Sequence, residues 1–218
     1  MKNWRCFAIP VAMMFGMVAH AQGMGSMNMG KDSGGSVSLT AGIVQQYDSV
    51  KTDLEKAAEA MPEDGYSFKP MPAERDFGGW VAHVAQSQLG TCSRLAGQTP
   101  DSAAMEMLRG VASGTAATKA QLVDALKKSF DACDAAYNGL TDANAGEAVQ
   151  SFRGSTSRIA ALAGNTAHDN ECYGSMAVYL RLKGIVPPST ADRGMMGSGM
   201  RGGMRGQGGM GGENGGGR

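Results

Sequence analysis

His168-Asp169-Asn170-Glu171-Cys172-Tyr173-Gly174, continued after four residues by Tyr179-Leu180-Arg181-Leu182-Lys183-Gly184-Ile185-Val186-Pro187-Pro188, is the stretch on which the fold turns. Helical spacing of apolar residues extends over about Ser155 to Lys183, and Gly184 with the Pro187-Pro188 pair stops it. Inside that helix His168 and Cys172 stand four apart, so their side chains lie one above the other on a single face. An imidazole and a thiolate in that relation can chelate one transition metal. As a two-residue pattern it is weak on its own, and chance or core packing is the commoner reason for it.

Working back toward the N-terminus, three more segments carry the helical period. The first covers about Thr40 to Ala60, with Ile43, Val44, Tyr47, Val50, Leu54 and Ala58 on one stripe, and Pro62 and Gly65 end it. The prolines in Phe68-Lys69-Pro70-Met71-Pro72 then forbid helix. The second starts at Asp76, a good N-cap, and reaches about Gly97 through Phe77, Trp80, Val81, Val84, Leu89, Cys92 and Leu95. The third spans about Thr118 to Leu140, with Leu122, Leu126, Phe130, Cys133 and Tyr137. Strand-like alternation is absent, so the expectation is an all-α four-helix bundle, with room for a crossover at residues 98–116. His83, on the second helix, reads in isolation as a hydrogen-bonded core histidine.

The chain has 218 residues, with 20 basic against 20 acidic side chains. That balance leaves no footprint for nucleic acid or anionic lipid. Of the 33 glycines, eighteen fall in residues 22–36 and 191–218, which leaves a middle of ordinary composition. Lys2 and Arg5, the apolar run Cys6 to Val18, and Ala19-His20-Ala21 predict a signal peptide over 1–21, removed after Ala21. A flexible linker is expected at 22–37, the bundle at 38–189, and a disordered Gly/Met/Arg-rich tail at 190–218. The mature protein is expected to be exported, periplasmic or secreted, with no stable membrane span.

Export leaves Cys92, Cys133 and Cys172. Cys92 follows His83 by nine residues, on the opposite side of its helix, and cannot share a metal with it. Cys92 and Cys133 both sit on apolar stripes. An oxidising compartment favours a disulfide between them over two buried thiols, which leaves Cys172 unpaired. Met24, Met27, Met29, Met195, Met196, Met200, Met204 and Met210 are soft donors suited to copper(I), set against a plain low-complexity reading.

The run Tyr66-Ser67-Phe68-Lys69-Pro70-Met71-Pro72, then Arg75-Asp76-Phe77-Gly78 and Trp80-Val81-Ala82-His83-Val84-Ala85, resembles the DinB-like family of metal-binding four-helix bundles. So does the stretch from His168 to Pro188, and the likeness covers about Thr40 to Ser189. The resemblance implies up-down-down-up helix order and three ligands, usually histidines, around a divalent metal such as zinc or nickel. His83 and His168 match two of those positions, and Cys172 stands where the third histidine would be. A thiolate there suits zinc, and copper is a further option; its extra negative charge makes a bound water less acidic.

Glu171 is the candidate general base beside that set, weighed against a solvated carboxylate. Asp169 is expected to point away from the chelating face and lie outside the site. The expectation for function is a metal-dependent hydrolase or thiol transferase acting on an unidentified small-molecule substrate. The alternative is a non-enzymatic metal-binding or partner-binding bundle, with the family site altered or lost at Cys172. Whether the protein is a monomer or a dimer is open at this level.

Overall fold

The computed structural model describes residues 38–192, Arg153 excepted. The expected signal peptide and linker and the tail beyond Asp192, and with them the eight methionines named above as soft donors, lie outside the described residues. Within them the chain forms α1 (Ala41–Ala60), a 3-10 turn (Glu63–Gly65), α2 (Phe77–Leu95), α3 (Ser102–Ala112), α4 (Lys119–Asn138), β1 (Ala148–Ser151), β2 (Gly154–Ser157) and α5 (Arg158–Leu182). None of these helices is long and apolar enough to cross a membrane.

The helix starts follow from side chains that take up free backbone N–H groups. Asp76 accepts from the Gly79 amide at 2.6 Å, Thr118 and Gln121 form a reciprocal capping box, and Ser157 accepts from Ala160. Thr40 opens α1 without a side-chain cap. That end is held from a distance instead, since one Asp142 oxygen accepts from Ser38 Oγ, Thr40 N and Thr40 Oγ1, each at 2.9 Å. The other end of α1 is closed by Lys119, whose Nζ donates to the carbonyls of Glu59 and Met61.

The four long helices close a ring, α1 against α4 and α5, and α2 against the same two. Helices α2 and α4 run in the same sense, because Gln88 meets Ser129 and, four residues on in each, Cys92 meets Cys133. Helices α1 and α4 run oppositely: Tyr47 and Lys51 reach Asp134, whereas Glu59 reaches Lys127. Helix α5 opposes α2, with His168 facing His83 and Arg158 donating to the Leu95 carbonyl. Leu54, Phe77, Leu126, Phe130, Leu162 and Leu180 are buried at the centre; each contributes about 1.5–3 kcal/mol. The rings of Tyr47 and Tyr137 stack at 3.8 Å.

Two expectations are corrected. The connection at residues 98–116 contains a helix, α3, capped by Asp101, whose oxygen accepts from Ala103 and Ala104. Strands are also present: β1 and β2 form an antiparallel hairpin in register Ala148↔Ser157 to Ser151↔Gly154, so α5 begins at Arg158 rather than Ser155. The strands have four residues each and no apolar alternation, too short a run for the period-2 signal to show. Their reversal relies on Gly154 at φ +106°, a region that side-chain-bearing residues rarely enter. The hairpin is tied down where it meets α5, by Arg158 N to Glu147 O and Ile159 N to Ala145 O.

Candidate metal centre

The facing histidines of α2 and α5 and the sulfur one turn along α5 converge. His83 Nε2 and His168 Nε2 are 3.1 Å apart, Cys172 Sγ is 3.6 Å from His168 Nε2, and all three donors lie within 4.8 Å of one another. A tetrahedral ion with metal–nitrogen bonds of about 2.0–2.1 Å and a metal–sulfur bond of about 2.3 Å needs spacings of about 3.3 and 3.6 Å. The two observed contacts are close to those values, so the donor set fits a metal of the zinc type. Among the described residues this is the one group of three such donors within reach of each other.

Two imidazole nitrogens at 3.1 Å can share one proton, the tautomer deciding which ring donates, and the surroundings favour His168 as its holder. The Asp169 carboxylate beside it and the Cys172 sulfur push His168 up to about 10. Burial, the Arg75 charge and His168 itself lower His83. A metal ion would displace the shared proton, because each ring must present a lone pair. The Trp80 ring stands edge-on to His83 at 6.1 Å and carries the Arg75 guanidinium on its face at 5.0 Å.

Both histidines open onto a cleft of about 800 Å³ between α2, α5 and the hairpin. Ser87, Thr91 and Arg94 line it along the face of α2 that carries His83. Ala160, Ala161, Gly164 and Ala167 of α5 leave the space empty, having little or no side chain to fill it. Cys172 is buried beneath. Glu171 is exposed on the rim of the same cleft, close enough to act on His83 electrostatically.

The disulfide expected between Cys92 and Cys133 is present, with Cα atoms 4.7 Å apart, and Cys172 is the free thiol. Asp169 is not one of the three converging donors. It is fully buried and its Oδ1 stands 3.7 Å from His168 Nδ1. One residue beyond His168 means a rotation of about 100°, which carries this side chain into the interior between α2 and α5 rather than out to solvent. There its Oδ2 accepts from Gln88 Nε2 and Asn165 Nδ2. Neither amide stands out in the sequence. A polar residue amid the apolar spacing of α2 is the signal that marks Gln88.

A family model described as the DinB superfamily matches residues 46–175, more than half of the chain. No curated protein sequence matches it. Among solved structures, a DinB-like protein from Bacillus cereus ATCC 10987 superposes with a TM-score of 0.53 at 17% identity, covering 69% of this chain and 96% of that one. A DinB-like protein from Bacillus subtilis gives a TM-score of 0.50 at 19% identity, covering 66% and 92%. At such identities the likeness speaks for the fold, which is the same helical architecture. The family match over residues 46–175 takes in His83, His168 and Cys172 on α2 and α5, and the chain belongs to the DinB superfamily.

Proposed function

We propose that the protein is an exported metal-dependent hydrolase or transferase that binds a divalent ion, zinc first and nickel next, through His83, His168 and Cys172. The observation that carries the reading is the convergence of two imidazoles that line an open cleft with one buried sulfur, the His83–His168 and His168–Cys172 spacings being close to those of a tetrahedral site. Two nitrogens and one sulfur suit zinc; copper is the softer option. Such an ion, once bound, polarises a substrate or lowers the pKa of a water or thiol at its remaining position. The chain's own residues do the rest. His83 and His168, at the cleft, present facing Nε2 atoms, Cys172 closes the set from the interior, and Glu171 on the rim takes the proton released. The small side chains of α5 admit a small-molecule substrate. A disulfide among the described residues fits an oxidising compartment, which supports export.

Cys172 favours a second reading. A thiolate in place of an imidazole adds negative charge and makes a bound water less acidic, which suits a bundle that stores or senses metal without catalysis. Metal analysis of protein purified without a histidine tag separates the cases. The proposal expects about one equivalent of metal in the wild type and its loss in His83→Ala. Stoichiometric metal in Cys172→His but none in wild type would show that this chain has lost the site.

A further inference from the structure

We propose that Asp169 is a positioning residue of this centre: its carboxylate fixes the His168 ring with Nδ1 protonated, so that Nε2 presents its lone pair to the metal. The inference rests on the metal reading above and concerns a residue that makes no contact with the cleft.

The two oxygens of Asp169 have different surroundings. Oδ2 accepts from Gln88 Nε2 at 3.0 Å and from Asn165 Nδ2 at 3.1 Å. Both amides are braced in turn. Ser129 Oγ donates to Gln88 Oε1 at 2.6 Å, and Asn165 Nδ2 also approaches Tyr137 Oη at 3.3 Å, whose hydroxyl donates to the Leu162 carbonyl. Oδ1, by contrast, is buried with no hydrogen-bond partner. His168 Nδ1 stands 3.7 Å from it, too long for a hydrogen bond and short enough that a small rotation of the ring closes it.

A carboxylate is costly to bury, and a group kept only for packing would have both oxygens satisfied. Here two amide side chains, themselves braced by two hydroxyls, clamp one oxygen and leave the other facing His168 Nδ1, the ring nitrogen that does not meet His83 and stands farther from Cys172 Sγ, at 4.0 Å against 3.6 Å for Nε2. That is the arrangement in which a carboxylate sets the tautomer and orientation of a metal-bound imidazole. The bracing reaches across three helices, since Gln88 belongs to α2, Ser129 and Tyr137 to α4, and Asn165 and Asp169 to α5.

The test compares wild type, Asp169→Asn and Asp169→Ala by zinc competition against a chromogenic chelator, by the visible spectrum of the cobalt(II)-loaded protein, and by nitrogen NMR of the His168 ring. The expected result is a 10–100-fold loss of zinc affinity in Asp169→Ala and a smaller loss in Asp169→Asn, which keeps an acceptor but not the charge. The cobalt bands should shift, and the protected His168 Nδ1–H signal of wild type should disappear in Asp169→Ala. Affinities within twofold of wild type, with an unchanged ring signal, would overturn the inference. Should Asp169→Ala fail to unfold cooperatively without metal, the near-isosteric Asp169→Asn decides on the same readouts. A wild type that binds neither zinc nor cobalt overturns the metal reading instead. The ring signal then decides alone: Nδ1 protonated and protected in wild type and altered in Asp169→Asn supports the positioning role, and an unchanged signal refutes it.

Discussion

Gln88 on α2 and Ser129 on α4 share a 2.6 Å hydrogen bond one helical turn before the point where the same two helices are joined by the Cys92–Cys133 disulfide. The covalent link therefore holds the register of the two side chains that brace Asp169, and through it His168. It closes a loop with a sequence separation of 41, for which chain entropy gives at most about 4 kcal/mol of stabilisation. Replacing both cysteines by alanine should lower stability by about 2–4 kcal/mol in denaturant titration. In the fraction that remains folded, zinc affinity should fall as well. Unchanged affinity would mean that noncovalent packing alone keeps the α2–α4 register.

The metal ligands should be unequal in replacement. His83→Ala leaves two donors on one helix, and zinc affinity should drop by more than the roughly 10–100-fold that loss of an outer partner typically costs. Cys172→His should bind zinc or nickel at least as well as wild type, since the i, i+4 spacing still places both donors on one face. Isothermal titration at fixed pH measures both. Binding should weaken on acidification in every variant, because protons and metal compete for the same lone pairs.

Acid should loosen the start of α1. Hydrogen bonds from Thr40 and Ser38 hold Asp142 below the usual carboxylate range. A carboxylate depressed in the folded state adds stability that is fully present above its unfolded value, about 4, and lost as pH falls through the lower folded value. The amides of Thr40 to Val44 should therefore lose protection, relative to intrinsic exchange at the same pH, below about pH 4, and Asp142→Ala should abolish the pH dependence of that protection. Hydrogen exchange followed by NMR between pH 2 and 6 measures it.

The hairpin depends on one backbone conformation. Gly154 has φ +106°, and an added Cβ would meet no atom within 4 Å, so the whole cost of Gly154→Ala is backbone strain. About 1–3 kcal/mol is expected, localised to residues 148–157. Their amides should lose protection while the melting temperature of the bundle barely changes. Gln150, Ser155 and Thr156 border the cleft, so substrate affinity should fall with the hairpin's order.

The sequence alone determined what local physics controls. The 3.6-residue period placed α1, α2, α4 and α5 to within about three residues at each end. Asp76 marked a helix start, and Gly184 with Pro187 a helix end, because caps and prolines act on their own neighbourhood. The i, i+4 relation of His168 and Cys172 needed only helix geometry, and their partnership with His83 rested on resemblance to family motifs. Tertiary structure decided the rest. The hairpin carries no period of its own and exists because Gly154 reverses the chain and Glu147 and Ala145 anchor it beside α5. That Asp169 is buried against the back of His168 was not legible, because its place one residue beyond a ligand says only that it leaves the chelating face. Only the meeting of Gln88 from α2 with Asn165 from α5 makes its burial affordable. The clamp joins side chains 81 positions apart in the chain, and no local pattern encodes a hydrogen bond between helices until the bundle has set their register.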